Sequence, residues 1–141
     1  MEEIPGRLFR GTFFQLIYPA EWEMEIIEDI PAFYDPLSGG VLQCAASRNP
    51  DGPFDLPGEM RKFLERQQIG VEEDRIARFQ TPGGQDCIAC EYTREDRFWM
   101  VYMIALEDRL LIVMYNADEI PGPDQARSIS DVIASIRFLS E

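Results

Sequence analysis

The stretch that decides the fold is residues 13–47, FFQLIYPAEWEMEIIEDIPAFYDPLSGGVLQCAAS, whose pattern indicates four short strands separated by turns. Phe14, Leu16 and Tyr18 alternate along the chain and therefore share one face of the first strand. Pro19 follows them and has no backbone N–H to donate, so we expect the first strand to end there.

The second strand in this stretch has the clearest alternation. Acidic and apolar residues take turns along it and fall on opposite faces, namely Glu21, Glu23 and Glu25 against Trp22, Met24 and Ile26. This pattern predicts a strand with one buried face and one face in water. Ile27 breaks the alternation, so we expect the strand to bulge or stop at that residue.

A hairpin is predicted next, because Gly39 and Gly40 separate the strand-like segments IPAFYDP (30–36) and VLQCAAS (41–47). Glycine adopts positive φ values without steric cost, which is what a tight turn requires. The stretch is thus interpreted as supporting structure for the fold rather than as a catalytic site.

Two amphipathic helices are predicted outside this stretch. The first follows Asp55 as N-cap, carries Pro57 in its first turn, and is expected to end before Gly70 as the left-handed residue. The second lies in PGPDQARSISDVIASIRF (121–138), and the tail SIRF predicts a short closing strand.

Three strands are predicted between the helices, in CIACEYT (87–93), FWMVYMIAL (98–106) and LLIVMYNA (110–117). The last two are apolar on both faces, so both faces must be covered by other layers. The sequence therefore predicts an α+β fold, an α-β-α sandwich around a mostly antiparallel β-sheet with two main helices. We expect residues 1–141 to form a single domain, since no linker interrupts them.

The charge balance excludes several classes of partner. The chain has 26 acidic and 13 basic residues, a formal net charge of −13, and its arginines are scattered rather than clustered. A nucleic acid or an anionic membrane surface would be repelled. The longest apolar region, residues 98–115, is interrupted by Glu107, Asp108 and Arg109, so no membrane span is predicted.

No combination of residues in the sequence specifies a catalytic, cofactor-binding or metal-binding site. The chain lacks histidine, which excludes Ser-His-Asp and Cys-His catalysis in their usual forms. Cys87 and Cys90 have the spacing of a redox pair, but a strand directs them to opposite faces, and a zinc ion would need more soft ligands than Cys44 can add. With no signal peptide in MEEIPGRLFR, we expect reduced structural thiols and a cytoplasmic protein.

The acidic residues near the N-terminus are the strongest candidate for a binding surface. Residues 1–35 contain eight acids against Arg7 and Arg10, namely Glu2, Glu3, Glu21, Glu23, Glu25, Glu28, Asp29 and Asp35. The candidate partner-binding residues among them are Glu21, Glu23, Glu25, Glu28 and Asp29. Two interpretations stay open, because such charges also protect an edge strand from pairing with other chains.

The order and composition of these elements resemble a known family. The segments FFQLIYPAEWEMEIIED, AFYDP, GGVLQCAAS and ISDVIASIRF are similar to the fold shared by the photosystem II protein PsbP and the Ran-binding Mog proteins, closest to small bacterial members of unknown function. The resemblance implies an α-β-α sandwich that binds or assists rather than catalyses. Some bacterial relatives act as adaptors or chaperones for secreted toxins, and Mog proteins meet their GTPase partly through acidic residues.

The leading expectation is therefore a non-catalytic binding or accessory domain that contacts a protein partner through an acidic surface. One alternative is a binder of a hydrophobic ligand or peptide, with an aromatic-lined cavity near Trp22, Tyr34, Trp99 and Tyr102. Another is an enzyme that uses adjacent carboxylates, such as those of residues 72–74, without histidine.

Overall fold

The computed structural model describes residues 6–139, apart from the side chain of Glu73, and that part of the chain contains ten strands and two helices. The strands are β1 (Gly6–Arg10), β2 (Phe14–Pro19), β3 (Glu23–Ile27), β4 (Ile30–Tyr34), β5 (Val41–Arg48), β6 (Ala77–Gln80), β7 (Asp86–Arg94), β8 (Arg97–Leu106), β9 (Arg109–Ala117) and β10 (Arg137–Phe138). The helices are α1 (Leu56–Gln67) and α2 (Pro123–Ser135). A short 3-10 turn (Glu73–Arg75) precedes β6.

The strands form two antiparallel sheets. The larger sheet has seven strands in the order β3-β4-β5-β9-β8-β7-β6, and the smaller has three in the order β1-β2-β10. The hairpin of β8 and β9 lies at the centre of the larger sheet. The predicted α+β class, the two main helices and the short closing strand β10 are confirmed, whereas β1 and β6 were not predicted from the sequence.

Both faces of the larger sheet are covered, as the sequence predicted for the two long apolar strands. On one face, α2 and the smaller sheet enclose a core that includes Phe98 and Ile104 of β8. On the other face, α1 encloses a core that includes Val101 and Met103 of the same strand. The larger sheet is thus the middle layer between α1 on one side and α2 with the smaller sheet on the other.

Strand β3 differs from its prediction. All five of its residues are exposed, and Met24 and Ile26, which were expected to be buried, are 37% and 54% exposed. Only Trp22, which lies just before the strand, is buried in the core. Because β3 is the outermost strand of the larger sheet, the layers that cover the central strands do not reach it. The strand stops at Ile27, as the break in alternation predicted.

Helix α1 begins after Asp55 and carries Pro57 in its first turn, as predicted, but it ends differently. The left-handed residue at its C-terminus is Gln68, with φ of 57°, rather than Gly70. The backbone N–H of Ile69 then donates to the carbonyl oxygen of Leu64, and the Ile69 side chain packs against the core beneath α1. Burial of this apolar residue fixes where the helix stops, a tertiary contact that outweighs the preference for glycine.

The end of α2 completes an edge of the smaller sheet. Strand β10 pairs only with Phe14 and Gln15 of β2. Beyond them, the backbone N–H of Ile17 donates to the Ser135 hydroxyl at 2.8 Å, and that oxygen also lies 2.7 Å from the carbonyl oxygen of Val132. The hydroxyl therefore takes the place of the strand residue that β10 is too short to supply.

We predict that Ser135→Ala lowers the free energy of unfolding by about 1 kcal/mol, the net worth of a typical hydrogen bond. The matched control is Ser130→Ala, since Ser130 is an exposed α2 serine with no hydrogen bond among the described residues. Urea unfolding monitored by circular dichroism would compare the two variants. Equal stability of both would show that water replaces the Ser135 hydroxyl without loss.

Candidate functional site

The five candidate acids lie along one edge of the larger sheet, and we call residues 21–29 the β3 edge. Glu21 precedes the strand, Glu23 and Glu25 lie on it, and Glu28 and Asp29 form the turn into β4. All five side chains are exposed, and none has an ion-pair partner within residues 6–139. The structure thus brings the predicted residues together on one surface.

Two of these glutamates raise the pKa of a tyrosine on the neighbouring strand. Glu23 lies opposite Tyr34 and Glu25 lies opposite Ala32 in the antiparallel pairing of β3 with β4. Partial burial, and then the negative charge of Glu23 and Glu25, raise the pKa of the Tyr34 phenol. The glutamates therefore form one negative face of the strand, and Tyr34 stays a neutral hydrogen-bond donor beside them.

Apolar side chains share the β3 edge with the acids. Besides Met24 and Ile26, Ile27 is exposed, to 46%. Single exposed apolar residues are ordinary on a protein surface, but Met24 and Ile26 share one face of an edge strand and together form a patch that a partner could bury, while Ile27 lies on the glutamate face. Alternation in the sequence could not reveal this patch, because it reports which residues share a face and not whether that face is covered.

The acidic turn of the β3 edge belongs to a pattern that occurs at other turns. Glu28 and Asp29 have φ values of 51° and 68°, the left-handed conformation of a two-residue hairpin turn. Glu95 and Asp96, between β7 and β8, have φ values of 53° and 62°, and Glu107 begins the next turn with φ of 57°. Glu-Asp is therefore a repeated turn dipeptide here, and Glu21, Glu23 and Glu25 are the acids of the β3 edge that fall outside that pattern.

The four aromatic residues considered for a ligand cavity do not line one cavity. Trp22 is buried in the core on the α2 side. Trp99 stacks on Tyr92 with ring centroids 6.3 Å apart, on the α1 side, whereas Tyr102 packs against the α2-side core. Tyr34 lies apart from both, beside the β3 edge. Residues 99 and 102 are an odd number of positions apart in one strand, so they must face opposite sides of the sheet.

The three cysteines are buried and unpaired, and the predicted opposite orientation of the CxxC pair is confirmed. Cys87 and Cys44 lie in the α2-side core, whereas Cys90 lies in the α1-side core with its Sγ 3.8 Å from Met60 Sδ. Burial raises the pKa of Cys87 to about 12 and, with the charge of Glu91, that of Cys90 to about 11. These thiols are therefore protonated at neutral pH and are poor nucleophiles.

The remaining acids considered from the sequence give no convergent site. Glu72 and Asp74 are exposed, while the side chain of Glu73, and Glu2 and Glu3 altogether, lie outside the described residues. Among the side chains that the structure describes, no three of the kinds that ligate metals lie close enough together to hold an ion. No helix in the described part of the chain is long and apolar enough to cross a bilayer.

Comparisons with known proteins support the fold and nothing finer. No family model matches the chain, and no curated protein sequence is similar to it. The solution structure of the cyanobacterial PsbP protein CyanoP from Synechocystis sp. PCC 6803 is similar, with a TM-score of 0.65 at 16% identity, over 97% of this chain and 94% of CyanoP. A crystal structure of a Bacteroides thetaiotaomicron VPI-5482 protein is also similar, with a TM-score of 0.63 at 17% identity, over 91% of this chain.

The chain therefore has a PsbP-like fold, which confirms the resemblance suggested by its sequence segments. It spans slightly less than half of the Bacteroides protein, since the match covers 46% of that chain. At this level of identity no residue role can be carried from either structure, because a fold hosts many functions.

We predict that the buried thiols make the protein less stable in alkali. An unfolded cysteine ionises near pH 8.5, whereas burial keeps Cys87 and Cys90 protonated to about pH 12 and 11. The unfolded state thus loses protons first, and the free energy of unfolding should fall from pH 8.5 upward, by at most about 1.4 kcal/mol per pH unit for each thiol. Urea unfolding at pH 8, 9 and 10 measures this slope.

The double variant Cys87→Ala and Cys90→Ala should show a shallower fall than the unmodified protein. Ile88→Val is the matched control, because it removes core volume between the two cysteines and keeps both thiols. Only the slope with pH is compared, so a general loss of stability does not confuse the result. The same slope in all three proteins would mean that the thiols do not control the alkaline response.

Proposed function

We propose that this protein is a non-catalytic binding protein that contacts a protein partner through the β3 edge. One observation supports this most directly: strand β3 at the edge of the sheet is exposed on both faces, with Glu23 and Glu25 on one face and Met24 and Ile26 on the other. Exposed strands of this mixed character suit an interface better than a core or a catalytic cleft.

The two kinds of side chain have different roles in the proposal. The carboxylates of Glu21, Glu23 and Glu25 have no ion-pair partner among the described residues, so their field is not cancelled locally. Such charges accelerate the approach of a basic partner and reject acidic ones. Burial of Met24 and Ile26 then supplies affinity at about 25 cal/mol per Å² of apolar surface removed from water.

A second interpretation uses the same residues without a partner. Charges on an edge strand prevent it from pairing with the edge of another chain. The two interpretations differ in one respect, because only the first requires that a bound protein is lost when the charges are reversed. Three unpaired thiols favour a reducing compartment, and we include the cytoplasm in the proposal for that reason.

The first test reverses Glu21, Glu23 and Glu25 to Lys together, which changes the formal net charge from −13 to −7 because each reversal adds two units. The tagged protein is used to capture partners from its native lysate, and the beads are washed through a salt series. We expect the unmodified protein to retain a basic partner that the variant loses at low salt, and moderate salt to release that partner because exposed charges are screened.

The control variant reverses Asp51, Glu119 and Asp131, three exposed acids outside the β3 edge, and so changes the net charge equally. It should retain the partner. Equal loss in both variants would indicate a general charge effect, and equal retention in both would reject the β3 edge as the contact surface. Circular dichroism of both variants would verify that they are folded.

The second test removes the turn acids without disturbing the turn, by Glu28→Asn together with Asp29→Gly. Asn-Gly is the favoured dipeptide for a turn with two positive φ values, so the free energy of unfolding should rise by about 1 kcal/mol. Loss of two carboxylates should also weaken capture at low salt, by less than the triple reversal does. A fall in stability on urea unfolding would contradict the turn assignment, and unchanged capture would confine the contact to Glu21, Glu23 and Glu25.

A further inference from the structure

The opposite edge of the larger sheet is β6, and its composition differs from that of the β3 edge. All four residues of β6 are exposed, and Phe79 is a large apolar residue among them. Arg78 is the only charged residue of the strand. Natural edge strands are usually protected by several charges or by proline, so an exposed and almost uncharged edge strand is available for pairing.

The direction of the backbone groups of β6 follows from one hydrogen bond. The N–H of Thr81 donates to the carbonyl oxygen of Gln85 at 2.9 Å, in register with the pairing of β6 and β7. Hydrogen-bonded and non-bonded pairs alternate in an antiparallel ladder. The backbone N–H and C=O groups of Phe79 therefore form hydrogen bonds with β7. Those of Arg78 and Gln80 point outward, away from the sheet.

A groove of about 570 Å³ lies on the α1 side of β6. Its apolar surface includes Met60 and Leu64 of α1 and Ile88 of β7. Arg61 and Arg78 also line it, and neither guanidinium has an ion-pair or hydrogen-bond partner in the described part of the chain. Glu65 lines the groove as well, so apolar side chains there lie beside two arginines and one carboxylate, a formal balance of +1. This combination favours an occupant that carries both apolar groups and a carboxylate.

A second groove, of about 330 Å³, lies on the α2 side of the same strand. Phe79, Ala89, Tyr102 and Ile133 line it, and most of its surface is apolar. β6 thus has outward-pointing backbone groups along its edge and a groove on each face, mostly apolar on the α2 side and of mixed polarity on the α1 side. A strand added beside β6 would direct its side chains alternately into the two grooves.

We propose that β6 binds an extended peptide segment of a partner protein, which pairs with it as an eighth strand. The segment has apolar side chains at successive positions, because both faces are covered, and one acidic side chain that faces Arg61 and Arg78 on the α1 side. Main-chain hydrogen bonds to Arg78 and Gln80 supply affinity, and the grooves supply selectivity, as in other cases of strand addition.

A second copy of this chain is a poorer occupant than such a segment. Two copies would each bring a formal charge of −13 and would place Arg78 of one beside β6 of the other, without a carboxylate in either strand to pair with it. A small amphipathic acid would suit the α1-side groove but would leave the outward backbone groups unused. A peptide strand satisfies the backbone, both grooves and the arginines together.

The experiment selects peptides from a phage-displayed library of random dodecapeptides on the full chain, and measures binding of the enriched peptides, labelled with fluorescein, by anisotropy. We expect enrichment in β-branched and aromatic residues with one Asp or Glu. Arg78→Ala should weaken binding three- to tenfold through the lost charge. Arg78→Pro should weaken it at least tenfold further, because proline also removes the outward N–H while leaving the bonds between β6 and β7 intact.

Circular dichroism verifies that Arg78→Pro is folded. If Arg78→Pro is unfolded, Gln80→Pro replaces it in the test, because that substitution removes the other outward N–H. Equal affinities of Arg78→Pro and Arg78→Ala, or no enrichment over an unrelated protein, would overturn the proposal. Reversal of Glu21, Glu23 and Glu25 should leave peptide binding unchanged. If the enriched peptides are basic, and if only the variant with Glu21, Glu23 and Glu25 reversed fails to bind them, the binding belongs to the β3 edge and the proposal for β6 is rejected.

Discussion

The hairpin of β8 and β9 is buried on both faces, and the rest of the structure depends on covering it. Strands of nine or ten residues that are apolar on each side cannot remain in water on either side. Helix α1 covers one face, and α2 with the smaller sheet covers the other. Arg109 at the start of β9 joins the two sheets, since its guanidinium lies over the Phe138 ring and donates to the carbonyl oxygen of Leu139 at 2.6 Å.

The same arrangement explains why the outermost strands are exposed. Seven strands at a spacing of about 4.8 Å make a sheet about 29 Å wide between its edge strands, whereas a helix with its side chains is only about 10 Å across. One helix on each face, even with a small second sheet on one side, cannot cover that width. β3 and β6 therefore keep exposed side chains and unpaired backbone groups, and both proposed binding surfaces lie where the covering layers end.

The sequence predicted the strands and helices that depend on local pattern. It was less informative about features, such as exposure, that depend on where an element lies in the fold. The apolar runs of β8 and β9, the helix that follows Asp55 and the short closing strand are all recognisable from composition and spacing. The exposure of Met24 and Ile26 is not, because alternation defines a face and gives no information on what covers it. The Glu-Asp turns are recognisable as well, since the dipeptide occurs between strand patterns at residues 28, 95 and 107.

The two edges differ in charge, and their separation makes them electrostatically independent. The β3 edge has glutamates without ion-pair partners among the described residues, whereas at the β6 edge Arg78 lines the α1-side groove together with Arg61 and Glu65. At about 29 Å the two lie more than three Debye lengths apart at physiological ionic strength, where that length is about 8 Å. In the two proposals the occupants therefore differ in charge, with a basic partner at the β3 edge and an acidic segment at β6. Any coupling between the two would have to pass through the packed sheet, because screened charges cannot carry it.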